Sequence, residues 1–265
     1  MSPTVVLEWM FSPADYFEAP IEISQDDYTI IIADGKAEAK IDSAIYQSKP
    51  SMRNELHDEL NARFLAEMLF SHREYHLFSS MTCIHPDGRK DQVMKCEPCN
   101  FKVTGHTINF QKCDKNGNTV LDTKRDRIDK RNNISGLVSR YLANDDVLKS
   151  LFKSWKAAVK DPDNELVHLY EIRDALHRKF GNNKSALSTL EKFGLTRNDW
   201  KDFGNLANKA SLRQGRHRGK SDGALRDATD DELFMARRIA GTMIEAYLRH
   251  IDATADSSRS EMTAK

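Results

Sequence analysis

Hydrophobic positions recur with a period of two over the first 125 or so residues and with a period near 3.6 beyond them. Period two marks half-buried strands and period 3.6 amphipathic helices. Tyr28 to Ile32 is a β-branched run closed by Asp34-Gly35, after which Ala37, Ala39 and Ile41 alternate with Lys36, Glu38 and Lys40. Asp-Gly between two such runs predicts a hairpin. A second hairpin is expected over Phe101 to Gln111, around Gly105-His106. Asp87-Gly88 and Asn116-Gly117 predict further turns, and Thr119 to Leu121 a last short strand. One helix interrupts the strands: from Ser51 to Phe70, Leu56, Leu60, Phe64 and Met68 fall on every fourth position and build one apolar stripe.

Lys124 to Asn133 is densely charged and is the expected linker or domain edge. Helical stripes follow: Ile134, Leu137, Val138 and Tyr141; then Val147, Leu148, Leu151, Phe152 and Trp155; then Leu166, Leu169, Ile172, Leu176 and Phe180. Asp161-Pro162 is expected to cap and start the third of these, and Gly181 to end it. A short helix over Leu187 to Phe193 stops at Gly194, and Thr196 caps another that presents Trp200, Phe203 and Leu206. Thr229 to Glu232 reads as a capping box for a last helix, with Arg249 and His250 at its C-terminal end and a small, polar, fraying tail from Ala253. The pattern predicts an α+β protein: a strand-rich domain with one helix at 1–128, a helical domain at 129–252, and a flexible tail at 253–265.

Charge changes this picture only locally. Lys plus Arg and Asp plus Glu number 40 each, so the chain as a whole attracts neither nucleic acid nor anionic membrane. No apolar run is long enough to span a bilayer, and the start of the chain has no signal-peptide pattern. Four cysteines in 265 residues make no disulfide framework, and a reducing, cytoplasmic setting is expected. The strongest imbalance is Lys209 to Lys220, KASLRQGRHRGK, with five Lys or Arg, His217 and no acid. Guanidinium groups pair with phosphate oxygens, and an imidazole moves protons near neutral pH. A solvated loop with mobile cations is the plainer account.

Other candidates are weaker. Cys96-Glu97-Pro98-Cys99, flanked by Cys83 and Cys113, offers four thiolates for zinc but only one close pair; cysteines near strand ends explain the same residues. Asp114 to Asn118 lacks the glycine and the glutamate of a calcium loop, and a hairpin turn is expected there. His72, His76, His85 and His106 are expected at the surface or at strand ends, and Glu165, His168 and Glu171 on a solvent-exposed helix face. No metal site and no cofactor are assigned.

Leu169-Tyr170-Glu171-Ile172 on an early helix, Ala207-Asn208 closing a later one, Gly215-Arg216-His217 and a long final helix together resemble the HEPN family of helical domains. The resemblance covers about residues 134–252. It implies a helical bundle and, in many members, a metal-independent ribonuclease of toxin or phage-defence systems working at a homodimer interface. It assigns catalysis to His217 with Arg213 and Arg216, and RNA binding to Asn208, Lys209, Arg218 and Lys220. The strand-rich domain would then sense or recruit a protein partner. Three residues separate Arg213 from His217, a closer spacing than is usual in the family, and Ala210, Ser211 and Leu212 stand where its arginine is expected. Many members are non-catalytic, so a binding or scaffold protein of the same fold is the alternative.

Overall fold

The computed structural model describes residues 3–93, 111–113, 119–216 and 224–263. The chain is α+β and divides into two compact units. One comprises Met1–Glu67 and Arg73–Asn133, the other Met68–His72 and Ile134–Lys265. Among the described residues no helix is long and apolar enough to cross a membrane.

The first unit is built on an antiparallel sheet of β1 (Thr4–Ser12), β2 (Ile21–Ser24), β3 (Tyr28–Ala33), β4 (Lys36–Asp42), β5 (His76–Ile84) and β6 (Lys90–Val93), in the order β2-β3-β4-β1-β5-β6. The Asp34-Gly35 hairpin forms as its composition requires: φ is +50° at Asp34 and +79° at Gly35, so both central residues occupy the left-handed region of a type I′ turn. Asp87-Gly88 likewise turns β5 into β6, with Gly88 at φ +84°.

β1 carries the core. Val5, Leu7, Trp9 and Phe11 alternate inward, each at most 4% exposed. The register sets Trp9 opposite Ala37 and Leu7 opposite Ala39, so the small residues of β4 leave room for the large ones of β1. This same face is covered by α2 (Met52–Ser71) through Met52, Leu56, Leu60 and Phe64. Phe64 stacks on Tyr16 at 5.4 Å and meets Phe11 and Phe17 edge-on. A short α1 (Ser43–Ser48), capped by the Asp42 carboxylate, stands beside the one helix expected here. Beyond β6 the unit contains a separate pair, β7 (Gln111–Cys113) with β8 (Thr119–Asp122). The hairpin expected around Gly105-His106, the turn at Asn116-Gly117, and Cys96, Cys99 and His106 lie outside the described residues.

The charged stretch expected as a linker or domain edge is helical, and the two compact units divide at its end, between Asn133 and Ile134. It forms the first turns of α3 (Thr123–Tyr141), and a row of charged side chains spaced for a helix explains why. Arg127 and Arg131, one turn apart, both reach Glu18, at 2.6 and 3.0 Å.

The helical unit continues with α4 (Asp146–Lys160), α5 (Glu165–Phe180), α6 (Asn183–Leu190), α7 (Arg197–Lys209) and α8 (Asp230–Thr263). α5 is central and packs against α4, α6, α7 and α8. Caps read from the sequence are present at Thr196, whose Oγ1 accepts from the Asp199 amide at 3.0 Å, and at the Thr229–Glu232 box, where each residue accepts the other's amide hydrogen. Gly181 and Gly194 take positive φ at the helix ends they close.

Three expectations change. Asp161 makes no side-chain bond to a helix amide; its carboxylate accepts from Asn164 Nδ2 at 2.8 Å, and a short 3₁₀ segment, Pro162–Asn164, intervenes before α5. α8 does not end near His250. It runs through Thr263, with Thr254 Oγ1 donating back to the His250 carbonyl. Arg249 and His250 are therefore interior helical residues, and a dipole role at the terminus does not apply to them. The third change is Glu165, which is buried instead of solvated.

Candidate functional site

The basic segment after α7 is anchored over its described part. Leu212 is 1% exposed and plugs it into the helical unit. The Gly215 amide donates to the Leu212 carbonyl at 3.1 Å, the Arg216 amide to Ala207 at 3.0 Å, and the Arg213 amide to Arg226 at 2.9 Å. A Cβ at Gly215 would stand 3.2 Å from the Leu212 carbonyl oxygen, which is why the tight return uses glycine. His217, Arg218 and Lys220 lie outside the described residues.

The absence of acids in this segment does not survive folding as an absence of acids around it. Arg213 meets Asp227 at 3.3 Å, and Arg216 donates to Asp174 of α5 at 2.7 Å. Both pairs are well exposed, so each contributes little to stability and exchanges readily for another anion. Nearby Arg226 grips Glu232 with two bonds of 2.6 and 2.7 Å, and that grip, with the Thr229 amide, holds the Glu232 carboxyl down at about 2. Arg213 and Arg216 thus face different carboxylates. Lys209 closes α7 one turn before them.

A cluster absent from the sequence reading adjoins Arg216. Tyr170 and Arg173 of α5 lie one turn apart, as do Trp200 and Gly204 of α7. The Arg173 guanidinium carbon is 4.5 Å from the Trp200 ring centroid and 5.4 Å from that of Tyr170, and Arg216 lies over the same Tyr170 ring at 4.9 Å. Tyr170 stacks in turn on Phe203, at 6.1 Å. Arg173 Nη1 sits so close to Gly204 that an added Cβ would be 1.9 Å from it. Burial lowers the Arg173 pKa, and the neighbouring Tyr170 and Asp174 offset that lost hydration only in part. Its Nε is sealed from solvent without a hydrogen-bond partner, and so is Oδ1 of Asn208 at the end of α7. The motif residues Leu169 and Ile172 flank Tyr170 and are wholly buried, so they hold α5 in place.

Glu165 and His72 meet elsewhere in the helical unit. Glu165, expected on a solvated face, is 1% exposed. It accepts a bidentate pair from Arg237 of α8 at 2.6 and 2.7 Å and lies 3.3 Å from Nε2 of His72. His72, expected at the surface or a strand end, is half-buried at a helix end. It closes α2 with φ +46°, its Nδ1 is sealed without a partner, and its ring meets Trp155 edge-on. A single-chain pattern of threes and fours does not reveal that a second helix brings an arginine to Glu165. Cys83 is buried in the first unit's core on β5, as any small apolar residue would be. Among the described residues no three His, Cys, Asp or Glu converge as a metal would need.

In the first unit, Arg131 is shared between Glu18 at 3.0 Å and Glu67 at 3.2 Å, beside a cavity of about 20 Å³, which is room for about one water. Burial pushes the Glu67 carboxyl up to about 7, and Arg131 offsets this only in part. The unfolded chain keeps the ordinary value of 4.5. Between the two values the folded state holds a proton that the unfolded state releases. The stability tied to Glu67 is therefore greatest below about pH 4.5 and lost as pH rises through about 7, worth about 3 kcal/mol in all. Glu67→Gln is expected to gain most of that relative to wild type between about pH 5 and about pH 8 in urea titrations. Parallel pH profiles for the two proteins would show that Glu67 is ionised throughout.

No family model matches the chain, and no curated protein and no solved structure matches it.

Proposed function

We propose that this protein acts on RNA through a HEPN-like helical unit, as a metal-independent endoribonuclease of a toxin or phage-defence system. The observation that carries the reading is the anchored turn: Leu212 and three backbone bonds hold Arg216 directly before His217, at the end of α7. In this reading His217 takes the proton from a ribose 2′-hydroxyl as that oxygen attacks its own phosphorus. The 5′-oxygen leaves, and Arg216 and Arg213 balance the charge on the phosphoryl oxygens. Asn208, Lys209, Arg218 and Lys220 bind the strand. The protein works as a cytoplasmic homodimer, and the strand-rich unit recruits a protein partner.

The test is cleavage of single-stranded RNA in the presence of a chelator. Wild type is expected to leave 2′,3′-cyclic phosphate ends. His217→Ala is expected to lose at least about a hundredfold in rate with an unchanged unfolding midpoint. Equal cleavage by the two proteins would remove His217 from the mechanism.

A second reading, a non-catalytic HEPN-like binding or scaffold protein, is favoured by one observation: Arg213 and Arg216 are both already in ion pairs. It expects salt-sensitive binding without scission. Joint replacement of Lys209, Arg213, Arg216 and Arg218 that left affinity unchanged would dispose of it.

A further inference from the structure

We propose that Arg173 is an oxyanion receptor: its guanidinium packs on aromatic rings and has no ion pair among the described residues, so that its terminal Nη groups remain for a phosphate group. The neighbouring arginines have carboxylates. Arg213 has Asp227, Arg216 has Asp174, Arg226 has Glu232, Arg237 has Glu165 and Arg238 has Asp199. Arg173 has no ion pair and no hydrogen bond among the described residues, although its own neighbour in sequence, Asp174, serves Arg216.

The chemistry of the group explains what such an arrangement is good for. A guanidinium binds rings with its flat faces and oxyanions with the N–H groups in its plane. The Arg173 guanidinium lies over the rings of Trp200 and Tyr170. They immobilise the group and strip part of its water without using a single donor. A carboxylate partner would have consumed those donors and cancelled the charge. The cost of desolvating an unpaired cation is tolerated here, which is the expected mark of a residue kept for a ligand. Gly204 is the second half of the device. Only a residue without a Cβ lets Arg173 Nη1 lie against α7, since a Cβ there would stand 1.9 Å away.

Phosphate is the oxyanion class that suits the surroundings. Arg216 lies over the same Tyr170 ring, and its exposed bond to Asp174 can yield to a second phosphoryl oxygen or to a neighbouring phosphate. The identification of that phosphate as part of an RNA backbone rests on the function proposed above; the anion site itself does not.

The experiment measures binding of inorganic pyrophosphate and of a single-stranded RNA oligonucleotide to the full chain at low and moderate salt. Arg173→Gln and Gly204→Ala are each expected to weaken binding by about tenfold or more, and Arg173→Lys to restore part of it, because an ammonium keeps the charge but not the fork. Gly204→Ala leaves every charge in place and displaces only the Arg173 head, and its unfolding midpoint is measured beside its binding so that a fold defect is read separately. It keeps the proposal testable if Arg173→Gln fails to fold. Binding of pyrophosphate that both variants lose, with no RNA bound by wild type, would support the receptor and remove the RNA reading. RNA binding lost in both variants without pyrophosphate binding would support the receptor for a polynucleotide phosphate. RNA binding that survives Arg173→Gln and Gly204→Ala but is lost on joint replacement of Arg213 and Arg216 would overturn the receptor and leave the RNA reading intact. Wild type that binds neither probe would also overturn it.

Discussion

Arg237→Ala is expected to destabilise the helical unit by about 4 kcal/mol, because it strands a carboxylate that water does not reach. Glu165 is 1% exposed, and Arg237 supplies both of its short hydrogen bonds, at 2.6 and 2.7 Å. Without them Glu165 keeps only the His72 imidazole at 3.3 Å. Removing both charges together should cost much less: Glu165→Leu with Arg237→Leu replaces a desolvated pair by apolar volume, an exchange that is often close to neutral. A double-mutant cycle in urea would read the difference as a coupling energy. Two single variants that each lose under about 1 kcal/mol would show that the carboxylate is hydrated after all. Acid gives an independent check. Burial alone would raise the Glu165 pKa, but the bonds from Arg237 and His72 outweigh it and the net displacement is downward. Its stabilisation is thus fully present above the ordinary value of 4.5 and is lost as pH falls through the lower folded value. That acid-side loss should vanish in the doubly apolar variant.

Trp155→Ala is expected to cost a similar 3–5 kcal/mol, roughly that of other buried tryptophans. Two separate contributions are lost. The indole is 1% exposed and fills the space beside Gly241, where an added Cβ would already be 3.6 Å from the ring. Its Nε1 donates to the Met68 carbonyl at 3.0 Å. That carbonyl belongs to the last turn of α2, where intrahelical donors run out, and it also accepts from the His72 amide at 3.0 Å. Trp155→Phe separates the two: most of the volume returns, and the remaining deficit of about 1 kcal/mol reports the hydrogen bond. Thermal unfolding followed by circular dichroism would measure all three proteins. Equal losses for Ala and Phe would mean that the polar contact, and not the packing, secures this position.

Much of the architecture is local and was legible. The Asp34-Gly35 hairpin needs only two residues that tolerate positive φ between alternating runs. The stripe Leu56, Leu60, Phe64 and Met68 is one face of α2 whatever it packs against, and all four side chains are buried. Thr196 and the Thr229–Glu232 box act within one turn of themselves. What was not legible is non-local. β1 begins the chain yet lies between β4 and β5, a position set by pairing with strands far apart in sequence. Glu165 looked solvated because its spacing with His168 and Glu171 is a helix-surface spacing; the arginine that buries it comes from α8.

The segment from Lys209 to Lys220 shows the same division. Its charge, its lack of acids and its place after α7 are properties of the chain itself. Its resemblance to HEPN motifs likewise rests on residue order, and its chemical consequence stands as a proposal. Only the tertiary structure decided which of its described cations meets which carboxylate, Arg213 with Asp227 and Arg216 with Asp174. Only the tertiary structure set Arg173, which no motif marks, over the rings of Tyr170 and Trp200. The reason is physical. Turn geometry, capping and amphipathic faces depend on neighbours one to four residues apart, so order alone determines them. Solvation and pairing of a charge depend on what long-range packing brings within a few ångströms, and that is decided when helices from distant parts of the chain share one core.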